Sequence, residues 1–264
     1  MQKDPPLGGS FCIVVCKRMN ISDSFSYQFE DAQWPTKLGL ATLISLVPIL
    51  NLALAGYMVQ IIRNVADRQA QPLPHWDDIG QKLRDGLILA GASLVYAAPL
   101  LIVVCFPLAL LIVSEGLSQN SNFHGFTQSL QPIGIALLVG AFGLSLIYGF
   151  VLSVLRPIIL VIFSRDDTFA SCFRLGEIVH ILRTSPRPFL ATWIVIVLAG
   201  FLIGVIVGFL NLLTGWIPCL GWMVGLVLAA GSAVFLLTAD AHLFGQFRRA
   251  AFETAPPNPP VQTS

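Results

Sequence analysis

The sequence predicts an all-α fold, a polytopic transmembrane helix bundle. Three observations predict it. Of 264 residues, 55% are hydrophobic and only 11% are charged, against an average near 25% charged. Several apolar runs reach 18 residues or more, long enough for a helix to cross a bilayer. The Lys and Arg residues also alternate between successive loops, as the positive-inside rule requires. With a mean hydropathy of +0.78, the chain has too few charges to cover a soluble domain. Its net charge of +1 implies no nucleic-acid partner.

Four runs are clear spans: Leu87–Val113, Ile133–Leu155, Phe189–Leu213 and Ile217–Ala239. At about 1.5 Å per residue, each crosses a hydrocarbon core of about 30 Å. Residues 57–86 hold Arg63, Arg68, Lys82 and Arg84, whereas 114–132 hold no Lys or Arg. Residues 156–188 hold Arg156, Arg165, Arg174, Arg183 and Arg187, and 214–216 hold none. Loops 57–86 and 156–188 and the tail are therefore expected inside, with 114–132 and 214–216 outside.

A fifth hydrophobic segment, 34–66, contains LVPILNLALAGY at 46–57. Pro48 breaks a helix by removing an N–H donor and crowding the preceding turn. Lys17, Arg18 and Lys37 precede its apolar run Leu38–Ile62, and the basic loop follows that run. Charge parity thus favours a broken hairpin with arms Trp34–Val47 and Ile49–Val65, Asn51 serving the turn. One kinked span with an external N-terminus is the competing reading.

Three short amphipathic segments accompany the hydrophobic arms. Residues 22–33 place Phe25, Phe29 and Ala32 on one helical face; 78–87 place Ile79, Leu83 and Leu87. Residues 168–183 place Phe169, Cys172, Phe173, Gly176 and Val179. Such helices are expected to lie in the interface plane.

Residues 1–18 read as a disordered tail or a mis-assigned start, since Met19 opens a more natural beginning. No signal peptide is evident. Residues 19–250 form a single membrane domain. The Pro-rich 251–264 read as a disordered tail. Cys12, Cys16, Cys105, Cys172 and Cys219 show neither CxxC pairing nor Cys/His ligand spacing, so they read as reduced structural thiols.

The densest motif is Pro72-Leu73-Pro74-His75-Trp76-Asp77-Asp78-Ile79-Gly80. Pro72 and Pro74 should stop the preceding helix. Trp76 suits the headgroup layer, and Asp78 with Gln81 makes a capping box. A cation site on Asp77 and Asp78 is the sharper alternative, but nothing nearby supplies the further oxygens it needs. With Trp34 and Lys37, Pro48-Ile49-Leu50-Asn51, Gly56-Tyr57, Arg63-Asn64 and Gly245-Gln246-Phe247-Arg248, this motif resembles the prokaryotic membrane family named domain of unknown function 4013. The resemblance covers about residues 19–250, most specifically toward the N-terminus. His75 departs from it, standing where an acidic residue is expected. The resemblance implies a polytopic membrane protein and no known activity.

Gly200, Gly204 and Gly208 share one helix face, and Gly221-x-x-x-Gly225 opens the next span. Such spacing lets helices approach closely, within the chain or across a homodimer. Arg156 and Asp240 each lie 23 residues beyond the start of their span, at Ile133 and Ile217. Equal depth makes them a candidate ion pair, with separate snorkelling as the alternative. His242 lies at the same end; His75, His124 and His180 are isolated. No GxSxG, HExxH, Walker or GxGxxG pattern occurs. The expected function is non-enzymatic, with no catalytic residue, cofactor or metal: an envelope scaffold or accessory subunit of a prokaryotic plasma membrane, both termini cytoplasmic. Its partners would be the lipid bilayer and other membrane proteins or itself. A small transporter using the broken hairpin is the alternative.

Overall fold

The computed structural model describes residues 20–118, 124–217 and 220–253, whose regular secondary structure is helical with no strand among them. The expectations on Cys12, Cys16, Cys219 and most of both tails lie outside the described residues. The helices are α1 (Ile21–Glu30), α2 (Trp34–Ser45), α3 (Asn51–Ala66), α4 (Ile79–Ser118), α5 (His124–Asp166), α6 (Leu175–Thr184), α7 (Pro186–Thr214) and α8 (Leu220–Glu253). A 3-10 turn, Phe169–Phe173, precedes α6.

Four of these helices, α4, α5, α7 and α8, are long and apolar enough to cross a membrane. The chain is thus a multi-pass integral membrane protein. The helices overrun the predicted spans. At 40 and 43 residues, α4 and α5 reach about 60 Å and 65 Å. Hydropathy marks only the stretch that lipid would cover, while backbone hydrogen bonding continues into polar sequence. The supposed loop 114–132 is accordingly helical up to Ser118 and again from His124. Likewise α8 runs on to Glu253, into the Pro-rich stretch that the sequence marks as a tail.

The first hydrophobic segment is a helical hairpin. Its arms, of 12 and 16 residues, measure about 18 Å and 24 Å, each short of a bilayer core. The turn occupies residues 46–50 around Pro48. Asn51 does not serve it with its side chain. Backbone bonds close it instead: Val47 N–H to Ile44 O (3.2 Å), Asn51 N–H to Val47 O (2.8 Å) and Ala53 N–H to Leu50 O (2.8 Å). On α8, Gly231 lies beside Thr42 of α2, while Gly245 lies against Val65 and the Ile62 carbonyl of α3. The chain thus runs one way along α8 in α2 and returns in α3.

Two compact units result, one from the described parts of Met1–Leu89 and Ile158–Ser264, the other Ala90–Pro157. In the first, α8 is the central element and packs on α1, α2, α3 and α7. Residues 241–247 of α8 are all buried. At the far end of the α7–α8 pair, Gly221 and Gly225 admit the Thr214 carbonyl and the Asn211 side chain. A Cβ built on Gly200, Gly204 or Gly208 meets nothing within 4 Å among the described residues. Among the described residues of this unit, close packing therefore uses the second glycine pair and not the longer stripe. The second unit is an antiparallel pair: Tyr148 Oη donates to Tyr96 O (2.7 Å) and Gln131 Nε2 to Glu115 Oε1 (2.8 Å).

Within the chain, the amphipathic segments bury mainly residues off their apolar faces, which leaves those faces to apolar surroundings. Helix α1 buries Ser24, Tyr27 and Gln28, with Asp31 following, and leaves Phe29 exposed. The first turns of α4 bury Lys82, Asp85, Gly86 and Leu89, while Ile79 and Leu87 are exposed. This segment is no separate helix. In α6, Ile178 and Ile181 are buried and Val179 is exposed, because the helix restarts after a break at Arg174 and its phase shifts. Nor does α1 lie across α8. Its contacts run antiparallel along it, Asn20 to Gln246, Ser24 to His242 and Tyr27 to Thr238. Hydrogen bonds to α8 and to buried neighbours outrank apolar periodicity here, since an unpaired buried polar group costs more than an exposed apolar one in a membrane protein.

Candidate functional site

The chemistry of the first unit gathers in three adjoining polar junctions. In the first, Lys37 Nζ sits 2.6 Å from Asp31 Oδ2 and 2.9 Å from Leu73 O. Both charged side chains are buried. Burial works to raise the Asp31 carboxyl, but the Lys37 ammonium and the Gln33 backbone N–H outweigh it and hold its pKa below the ordinary value. Trp76 Nε1 donates to Lys37 O (3.1 Å). Its ring stacks on Tyr57 at 4.6 Å between centroids, nearly parallel, and Lys82 Nζ lies 5.8 Å from the same ring. Trp76 is therefore buried among residues of three helices. Its sequence surroundings suit Trp76 to the headgroup layer; the cage around it, Lys37, Tyr57 and Lys82, comes from three different helices.

Close backbone approach makes that cage. A Cβ on Gly56 would lie 1.9 Å from the Lys82 carbonyl oxygen, and one on Gly86 would lie 1.8 Å from that of Leu52. With no Cβ at either position, α3 and α4 meet backbone to backbone. Tyr57 and Lys82 then reach Trp76 from both helices.

The second junction caps the end of α5. Arg63 Nε donates to Ser164 O (3.1 Å), and Arg248 Nη1 donates to the same oxygen (3.2 Å). Cationic donors suit these last carbonyls, which carry the negative end of the helix dipole. Arg63 also pairs with Asp85 at 3.0 Å and with Asp167. Asn64 Nδ2 donates to Pro72 O (3.0 Å), fastening the 67–78 strap. The third junction joins α1 to α8. Ser24 Oγ lies 2.9 Å from His242 Nδ1, Gln246 Nε2 lies 3.1 Å from it, and Asn20 N–H donates to Gln246 Oε1 (2.8 Å). Tyr27 stacks on His242 at 4.2 Å and donates to Thr238 O. Burial pushes the Tyr27 phenol well above its ordinary pKa, so it is a neutral donor.

Pro74 lines an open pocket of about 530 Å³ with Asn64, Gln69, Gln71, Leu73 and His75. Asp77, Asp78 and Gly80 are exposed. Helix α3 does not wait for Pro72 or Pro74 to stop it. It ends at Ala66 with Arg68 in the left-handed region (φ 56°), closed by Gln69 N–H to Asn64 O and Arg68 N–H to Val65 O, a Schellman closure. The reciprocal capping pair of Asp78 and Gln81 is not formed. The Asp78 carbonyl instead accepts from Lys82 N–H and Nζ, both at 3.4 Å, because the buried Lys82 folds back along its own turn. Among the described residues no three His, Cys, Asp or Glu side chains converge as metal ligands. Arg156 is exposed in the Ala90–Pro157 unit, and Asp240 is half-buried on α8 in the other; the expected tie between them crosses that division. Cys105 is exposed and Cys172 buried.

A family model described as "Protein of unknown function (DUF4013)" matches residues 40–212, about two thirds of the chain. The chain belongs to this family. No curated protein and no solved structure matches it significantly. The DUF4013 resemblance read from sequence acquires a physical meaning in these junctions. Lys37, Gly56, Tyr57, Arg63, Asn64, Trp76, Gly245, Gln246 and Arg248 all take part in contacts between distant segments. Sequence reasoning missed Ser24, Tyr27, Gln28 and Asp31, and also Asp85, Ser164 and Asp167. A signal for the first four was present: they recur at i, i+3, i+4 and i+7, a polar stripe as regular as the apolar one beside it.

Proposed function

We propose that this DUF4013 protein is a non-enzymatic scaffold or accessory subunit of a prokaryotic plasma membrane. One observation carries the reading. The polar side chains that make up the motif are spent on bonds between segments of the same chain, notably Lys37, Arg63, Asn64, Trp76 and Gln246. Such a packed base suits a part that holds a shape for other membrane proteins or for a second copy. Exposed apolar side chains along α7, including Leu198, Phe201, Leu202 and Phe209, offer the bilayer or a partner helix ample surface. Gentle purification from native membranes into nanodiscs should recover the chain with a stoichiometric membrane partner or as a defined oligomer. Recovery as a lone monomer that moves a solute when reconstituted in vesicles would sink the reading.

A small transporter is the second reading. The broken α2–α3 hairpin favours it, since discontinuous helices line transporter sites. So does Tyr57, whose buried hydroxyl has no protein partner among the described residues and whose ring lies beside the Lys37-bound Trp76. Both readings place the two termini in the cytoplasm. In a Cys-free background, a cysteine at Ser118 should label with an impermeant maleimide in intact cells, and one at Thr263 should not. The reverse pattern would invert the topology.

A further inference from the structure

We infer that α6 is a docking helix for anionic lipid, with Leu175 and Val179 set among acyl chains and Arg183 on a phosphate headgroup beside them. A turn of about 100° per residue divides α6 into strips. Ile178 and Ile181 are buried against the protein. Next round the axis come Leu182, half-buried, then Leu175 and Val179, both exposed. On the far side lie Gly176, His180 and Thr184, all exposed. Arg183, also exposed, falls about 40° past Val179, at the seam between the apolar strip and the polar one. A helix with its strips in this order fits a lipid surface. The apolar strip enters the acyl boundary, and the arginine at the seam reaches the headgroups.

The fold puts α6 at the right depth. Its first turn is tied to the end of α5, where Glu177 pairs with Arg165 at 2.7 Å. Its last turn is joined through Ser185 to the start of α7, on which it also packs. Both neighbours are membrane-spanning helices, so α6 bridges two span ends at one face of the bilayer. The apolar run of α7 begins at Phe189, just beyond Arg183 and Arg187. Charge then selects the lipid. Glu177, the one acid of α6, is taken by Arg165 and Arg174. Arg183 makes no ion pair among the described residues, and Arg187 adds a second exposed cation at the same end. A guanidinium matches the oxygens of a phosphodiester. In phosphatidylcholine the choline cation already answers that phosphate; in an anionic lipid its charge is left for the arginine.

The test uses the full chain, Cys-free apart from Val179→Cys carrying a bimane, in nanodiscs of mixed phosphatidylcholine and phosphatidylglycerol. In one set the phosphatidylglycerol has brominated acyl chains, in the other the phosphatidylcholine has them. Bromine quenches only a fluorophore that it touches, so the comparison reads which lipid sits beside Val179. Mole for mole, phosphatidylglycerol should quench about fivefold more strongly, the enrichment that one basic side chain gives at a charged surface. A bimane at His180→Cys should be quenched weakly by either lipid. In Arg183→Gln the preference should fall toward equality, whereas Arg183→Lys should keep most of it. Arg84→Gln removes an exposed cation of α4 and should leave the preference unchanged. No quenching at Val179 by either lipid would mean that a protein covers this face, and would overturn the proposal. Equal quenching by the two lipids, or an undiminished preference in Arg183→Gln, would overturn it too.

Discussion

Gly56→Ala and Gly86→Ala should each destabilise the protein severely, on the order of 3–5 kcal/mol, although each adds one methyl group to a helix. The Gly56 methyl would sit 1.9 Å from the Lys82 carbonyl oxygen, 2.6 Å from its carbon and 2.7 Å from its Cα. No side chain can turn away, because every atom in the path is backbone. The Gly86 methyl meets the Leu52 carbonyl in the same manner, at 1.8 Å. Relief requires α3 and α4 to separate, which unstacks Tyr57 from Trp76 and pulls Lys82 off the indole. The control is Gly204→Ala, where the added methyl meets nothing within 4 Å. Ala is the better helix former by about 0.8–1 kcal/mol in soluble hosts, so this variant should melt at or slightly above the wild-type temperature. Thermal unfolding and monodisperse yield in one detergent separate the cases. Wild-type melting of Gly56→Ala would mean that the two helices do not cross at these glycines.

Lys37→Met should be the next most damaging change, costing about 3–5 kcal/mol, because it leaves a buried carboxylate without its partner. It also strips the Leu73 carbonyl of its donor and so loosens the strap that carries Trp76. Asp31→Asn should cost less than Lys37→Met, since the remaining ammonium keeps its bond to Leu73 O. The double variant should be more stable than the sum of the two losses predicts. An additive cycle would show that the two charges do not act as a pair. Acid should resemble Asp31→Asn. The Asp31 pKa is held down in the folded protein, so its contribution is complete above the ordinary Asp value of about 3.9 and is lost as pH falls through the lowered folded value. Wild-type stability should therefore drop in that acid window by an amount that Asp31→Asn does not share.

Much of the architecture was legible because hydrophobic length is a local property. Four spans, the break at Pro48 and the membership of a membrane family can all be read within windows of about 20 residues. The hairpin in 34–66 was legible from charge parity, a sum over loops that needs no tertiary knowledge. The polar junctions were not. Asp31 and Lys37 are six residues apart, yet what buries them is the strap at 73–76. Ser24 meets His242 across 218 positions, and Arg63 meets Ser164 across 101. The polar stripe marks Ser24 only as one face of a helix, and nothing local to Ser164 distinguishes it from a serine facing water.

The sequence by itself determined that this chain lives in a membrane, how many long spans it has and where its first segment breaks. Transfer free energy acts residue by residue, and helical geometry converts it directly into length. Only the tertiary structure decided which helix faces are buried. It placed the polar stripe of α1 on α8 and left Phe29 outside, and it gave the close approach to Gly56 and Gly86 while leaving Gly200, Gly204 and Gly208 open. The reason is solvent. In water an amphipathic helix buries its apolar face, but beside a bilayer apolar side chains lose little by staying outside. The polar groups are the ones that must find partners, and those partners lie far away along the chain.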